Sequence, residues 1–368
     1  MRPNVLDGRH RALGADDSVS WNDMVLPQHY KTSVFEEVVA VRARAGLFDV
    51  SAVKLINVSG PDAVAALDYL VTADVAGMKS GSALIGAELN DEGAIIDDIM
   101  IIRDGTDRFR VSHGTGVTPV ALAHAAKGKT VTITPDSERN VLSLQGPASL
   151  AVLAPHTPAA LKDLAYFHHV DTTLFGVPVN LLRGGYSGEL GYEVYCEPKD
   201  AVALWDKILD AGKSHGVIPV SWDCLDTVRV EAALLFFPFE MPHEGTTTPW
   251  ETNQEWALDL TKPDFRGKQA VLASKGKERT KVAGITIDCD HAVTPGSKLF
   301  SKGVEVGIVT STTYSEFLML SVALVALKPG YTALGTEVEV ADKDAKHSGR
   351  VVQIPFYDPL RRRTYTQN

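Results

Sequence analysis

Residues 33–45 carry apolar and charged positions at helical spacing, and the run stops at Gly46, placed as a C-terminal cap would be. A strand-like stretch, residues 53–58, leads into Gly60-Pro61-Asp62, where proline at the first turn starts a helix over residues 62–71. The same order returns later. Residues 140–144 read as a strand, Gly146-Pro147 as the turn and residues 148–153 as the helix. Set side by side, NVSGPDAVAAL and SLQGPASLAVL look like one supersecondary unit used twice, which predicts an internally duplicated α+β body.

Residues 83–89, 95–102 and 109–112 predict neighbouring strands, with Asp91-Glu92-Gly93 and Asp104-Gly105 as turns. Residues 178–183 and 192–196 predict another hairpin around a glycine-rich turn, and residues 201–215 an amphipathic helix. After Lys281 the texture changes to short β-rich pieces: 282–287, 298–300, 305–310, 321–326, 337–340 and 350–354. Turns such as Ser301-Lys302-Gly303 and Pro329-Gly330 separate them, the signature of a small barrel or sandwich. The expected organisation is a body over residues 1–275, with repeat halves 50–135 and 136–275, and a C-terminal β-barrel over residues 280–368.

At 368 residues the chain exceeds one hydrophobic core, in keeping with that division. A formal net charge of -10 disfavours sequence-independent nucleic-acid binding, which needs a basic surface. Cys196, Cys224 and Cys289 are far apart, so thiolates alone make no metal site, and their odd number fits a reducing cytoplasm. His168 and His169 diverge on an extended segment, so no metal is expected there either. The polar N-terminus lacks a signal-peptide core, and the longest apolar run, residues 318–327, is interrupted by Ser321 and too short to span a bilayer. A soluble cytoplasmic protein with no membrane or nucleic-acid partner is expected.

Asp97 and Asp98 interrupt an apolar strand, IIDD followed by IMII. Adjacent strand residues point to opposite faces, so one carboxylate can be solvated while the other enters a pocket. An aspartate in such surroundings must be hydrogen-bonded or functional. Residues 183–194, RGGYSGELGYEV, are glycine-rich, but the alternating Tyr192, Val194 and Cys196 that follow read as a strand, whereas a dinucleotide loop needs a helix. A hairpin placing Tyr186 and Glu189 over a flat ligand fits better: tyrosine offers a stacking face and glutamate two acceptors for adjacent N–H donors. His113 ends the strand FRVS; Trp250 and Trp256 flank Glu251 as an aromatic wall or as packing. Arg361-Arg362-Arg363 reads as a solvated run or a contact for a polyanionic tail.

Nine segments in order resemble the aminomethyltransferase family, which holds the glycine-cleavage T-protein and tetrahydrofolate-dependent demethylases: AVRARAGLFDVS, VSGPDA, NDEGAIIDDIMI, LQGPAS, GGYSGELGYEV, VRVEAA, TPWETNQEW, DFRGKQA and GIVTSTTYS. The resemblance implies an α+β fold, with two related α/β units plus a C-terminal β-barrel around a central folate-binding cavity. It implies tetrahydrofolate as cofactor, Asp98 at its reacting end and Glu189 on the pterin ring. Ile85, Phe109, Val111 and His113 fall where the family lines the folate site, and Tyr192 and Trp256 join them as candidates. Asp98, His113 and Tyr186 are the candidate catalytic groups, in no order that the sequence fixes. Departures from the family pattern gather at pocket landmarks: Ala52 for a histidine, Leu225 for an arginine, Phe236-Phe237-Pro238 for LYG, and VTST for VTSG. They imply a demethylase of a small S-, O- or N-methyl metabolite. The alternatives are a T-protein working with a lipoylated carrier protein, and a folate-independent or non-catalytic member.

Overall fold

The structure is a computed structural model that describes residues 2–15, 17–114, 117–136, 139–243 and 245–365. It divides into two compact units: Met1–Lys54 with Asp136–Ala232 and Leu360–Asn368, and Leu55–Pro135 with Ala233–Pro359. The expected half 136–275 is therefore cut after Ala232, and the chain beyond Pro359 leaves the barrel for the first unit. Residues 366–368 of the expected barrel lie outside the described residues.

In the first unit a six-stranded sheet runs His169–Leu174, Val177–Arg183, Gly191–Cys196, Asn140–Gln145, Gly46–Asp49 and Ile218–Pro219. Only the last pairing is parallel. The helix Pro198–Gly212 turns Ala201, Leu204, Trp205 and Ile208 onto Leu47, Leu142, Leu144 and Val194 to make the core. Gly46 opens a strand rather than capping a helix, since the preceding helix is Val34–Ala43, capped by the Ser33 side chain. A side chain at Gly46 would meet Val41 and Val220 at 2.8 Å, so close packing requires the glycine.

The second unit holds a five-stranded sheet in the order Ser82–Leu89, Ile95–Arg103, Arg108–His113, Lys54–Ser59 and Thr132–Asp136. The helices Ala63–Leu70 and Thr118–Ala125 cover one face, packing Leu67, Leu70, Ala121 and Leu122 on Ile99, Ile101, Phe109 and Val111. The two glycine–proline turns share a backbone conformation, with φ of 123° at Gly60 and 132° at Gly146, a region open to glycine. Of the two forms expected after Lys281, the structure shows the barrel: six strands close through Lys281–Ile287, which pairs with both Leu320–Leu327 and Ala345–Val352. Closure leaves no free sheet edge.

Candidate functional site

Pleat alternation sorts the Asp98 strand into two chemistries. Ile95, Asp97, Ile99 and Ile101 are buried, while Ile96, Asp98 and Met100 keep partial exposure. Across the ladder Ala87 pairs with Asp98 and Ile85 with Met100, so Ile85 and Asp98 share a face. That face offers a carboxyl among partly exposed apolar side chains. Burial, then the charge of Asp97 and more weakly that of Glu240, raises the Asp98 carboxyl to about 8. At neutral pH it is mainly the neutral acid and can give a proton.

Asp97 is the more buried of the two carboxylates. It is 1% exposed, because its face is the one the helices cover. It accepts the N–H of Asp98 (2.9 Å) and Gly114 (3.2 Å) and faces the Thr118 hydroxyl (3.3 Å). Thr118 also donates to Glu88 at 2.8 Å. Burial raises the Glu88 carboxyl to about 7, with Asp97 adding to it.

The neighbourhood of Asp98 includes a residue the sequence reading did not single out. Glu240 is fully buried and accepts the Phe236 N–H at 2.6 Å, the Thr310 hydroxyl at 3.3 Å and the Ser311 hydroxyl. Two segments that depart from the family pattern, 236–240 and 309–312, thus meet at one carboxylate. The signal was available as paired departures, but not the contact.

In the first unit the glycine-rich turn is gripped from below. Gln145 donates to the Gly184 carbonyl at 3.0 Å and accepts the Ser187 hydroxyl at 2.7 Å. A side chain at Gly185, where φ is 154°, would strike the Gln145 amide at 2.1 Å. Tyr186 stays half-buried on this turn. Glu189 is 4% exposed and lies within 3.2 Å of Arg42 and 3.3 Å of Arg363. Arg42 also donates twice to Glu231 (3.0 and 2.7 Å) and to the carbonyls of Ser187 (2.8 Å) and Val228 (3.1 Å). Arg363 is exposed yet engaged: it donates to the Arg42 carbonyl at 2.6 Å, and Thr364 donates to that of Gly188 at 2.9 Å.

The remaining expected residues are dispersed. Phe109 and Val111 belong to the core beneath the helices, not to an open lining. His113, two residues beyond Val111 and 5% exposed, is placed by alternation on that same face, opposite Asp98. Tyr192 is a core residue whose hydroxyl donates to the Leu161 carbonyl at 3.2 Å. Trp256 is 71% exposed, whereas Trp250 is buried and donates to the Val271 carbonyl at 2.7 Å. Where the family carries its histidine, Ala52 packs with Met24 and Leu26; Leu225 packs near Val38 and Val228. Tyr186 belongs to the first unit, Asp98 and His113 to the second.

A mixed body of helices and strands followed by a closed barrel is the class this fold defines. The GCVT N-terminal domain matches residues 6–262, and the glycine cleavage T-protein C-terminal barrel domain matches residues 281–358. The gamma subunit of a heme-dependent oxidative N-demethylase from Ectopseudomonas mendocina is 36% identical over 369 residues, 98% of this chain and 97% of that one. An aminomethyltransferase of Halalkalibacterium halodurans is 34% identical over 347 residues, 92% of this chain and 93% of its own. The crystal structure of the glycine cleavage system aminomethyltransferase T from Bartonella henselae aligns with a TM-score of 0.89 at 29% identity, covering 97% of this chain and 98% of that one. The chain belongs to the aminomethyltransferase family of the glycine-cleavage T-protein, a family of enzymes. Among the described residues no helix is long and apolar enough to cross a membrane.

Proposed function

We propose that this protein is a tetrahydrofolate-dependent one-carbon transferase that demethylates a small N-methyl metabolite. The observation that carries the reading is Asp98: a partly exposed acid, raised to about 8, on a face shared with Ile85 and Met100. Such a face suits a flat heterocycle, with apolar contact for the ring and one polar group for a ring nitrogen. When bound, tetrahydrofolate supplies a nucleophilic nitrogen that accepts the one-carbon unit. Ile85 and Met100 would hold it, and Asp98 would work at its reacting end. Tyr186 is the stacking candidate of the glycine-rich turn. Glu189 acts differently from the expectation: its two oxygens are engaged by Arg42 and Arg363, so its first effect is to fix that turn, and pterin contact uses its remaining lone pairs.

The state of Asp98 narrows the substrate. A sulfonium leaves as a neutral thioether and needs no proton. An amine departs only if its nitrogen gains one, and a carboxyl near 8 holds that proton at neutral pH. As the methyl carbon passed from the amine to the folate nitrogen, the electron pair of the broken carbon–nitrogen bond would stay on the amine and take the Asp98 proton, and the proton lost by the folate nitrogen would restore Asp98. The relative named as an N-demethylase subunit supports an N-methyl donor and, by its name, a multi-subunit setting.

Incubating the protein with tetrahydrofolate and a panel of N-, O- and S-methyl donors tests this. An N-methyl compound is expected to give one-carbon-loaded folate, and sulfonium donors little. Activity only with an aminomethyl-lipoyl carrier protein, with release of ammonia, would assign the chain to the glycine-cleavage reaction instead. That second reading is favoured by the aminomethyltransferase relatives.

A further inference from the structure

The barrel gathers three side chains that the one-carbon chemistry leaves unused. We propose that His291, Asp342 and His347 form a binding site for a single divalent transition-metal ion of the zinc type, with water completing a four-coordinate shell. Their nearest ligand atoms all lie within 4.8 Å of one another. His291 Nε2 is 3.8 Å from Asp342 Oδ2, and the two imidazoles sit edge to face with centroids 5.3 Å apart.

Each group is arranged as a ligand would be. Asp342 closes the strand Glu337–Asp342, and His347 lies on the next strand of the same hairpin, paired with Val340. One oxygen of Asp342 is occupied, accepting the Thr294 N–H at 3.0 Å and the Ser297 hydroxyl at 3.1 Å, which leaves Oδ2 for another partner. His347 Nε2 is buried and meets no hydrogen-bond partner. An imidazole nitrogen taken from water with nothing to bind costs free energy that an ion would recover. On His291, Nδ1 lies 3.2 Å from the Asp290 carboxylate, to which it donates, so the lone pair is on Nε2. A carboxylate behind a histidine is the usual support of a metal-bound imidazole. The His291 carbonyl is itself held by the Ser321 hydroxyl at 2.8 Å and the Cys289 thiol at 3.3 Å.

With metal–ligand bonds of about 2.0–2.1 Å, a tetrahedral shell places its ligand atoms about 3.3 Å apart. His291 is exposed, so a small side-chain rotation closes the 3.8 Å gap. Two imidazoles and one carboxylate suit zinc, cobalt or nickel rather than magnesium or calcium. The ion would tie the segment carrying His291 to the Asp342–His347 hairpin and so stiffen the barrel.

The test uses the tag-free full-length chain, stripped of metal and titrated with Zn²⁺ against a chromophoric chelator, beside His347→Ala and His291→Ala. Neither substitution disturbs the hydrogen bonds at Asp342, so both variants are expected to fold. Wild type is expected to take up a tight equivalent that each variant binds at least about 10–100-fold more weakly. Co²⁺ bound to wild type should show the intense visible absorption of a four-coordinate site, absent from His347→Ala. Equal Zn²⁺ uptake by wild type and both variants, or no uptake by any, would overturn the proposal.

Discussion

Asp98→Asn is expected to lower turnover by about 10²–10⁴-fold, the contribution of a positioned acid, while leaving the protein more stable than wild type above neutral pH. The two effects share one cause. Burial and Asp97 raise the Asp98 carboxyl from 3.8 to about 8, so between those values the folded chain keeps a proton that the unfolded chain releases. Stability from this group is complete below about pH 4 and is lost as pH rises through about 8. Asparagine removes that loss, so its advantage in melting temperature is absent near pH 4 and grows towards pH 9. If the neutral acid is the working form, wild-type turnover falls as pH rises through about 8. Asp97→Asn removes a charge that raises Asp98, so it should move the falling limb to lower pH. It should also cost stability, since Asp97 is buried among its donors. Pairing pH–rate profiles with thermal melts checks all of this. Equal, mild effects on turnover from the two substitutions would remove Asp98 from the chemistry.

Arg42→Ala is expected to destabilise the first unit by about 3–5 kcal/mol, the range for breaking a buried ion pair from one side. Arg42, Glu189 and Glu231 are each 4% exposed or less, and the substitution would take the Arg42 guanidinium from both interior carboxylates, Glu189 keeping its contact with Arg363. The Ser187 and Val228 carbonyls would lose their donor as well. Urea unfolding reads the effect directly. A loss below about 1 kcal/mol, the range of an exposed pair, would mean that the cluster is not the anchor of the glycine-rich turn.

What the sequence disclosed follows the range of the interactions involved. The Asp98 strand, both glycine–proline turns and the barrel strands are written in neighbouring residues, as period-two alternation and turn chemistry. Alternation also separated Asp97 from Asp98 correctly. It was silent on which face the helices Ala63–Leu70 and Thr118–Ala125 would cover, so it left open which of the two is buried. Phe109 and Val111, named from the family resemblance, and Tyr192, joined to them, are packed in the hydrophobic cores. Arg42 meets Glu189 and Glu231 across 147 and 189 residues of chain, and Glu240 meets Ser311 across 71. No local pattern announces such partners. Gly46 carries the same lesson, since its reason is the approach of Val220 from a distant strand junction.

Calorimetric titration of the wild-type chain with tetrahydrofolate tests the central claim most directly. Saturable, stoichiometric binding is predicted, and Asp98→Asn should lose less affinity than turnover, because its role lies mainly in the transition state. Absence of any saturable heat with folded wild-type protein would contradict the account and leave a family member that has given up folate.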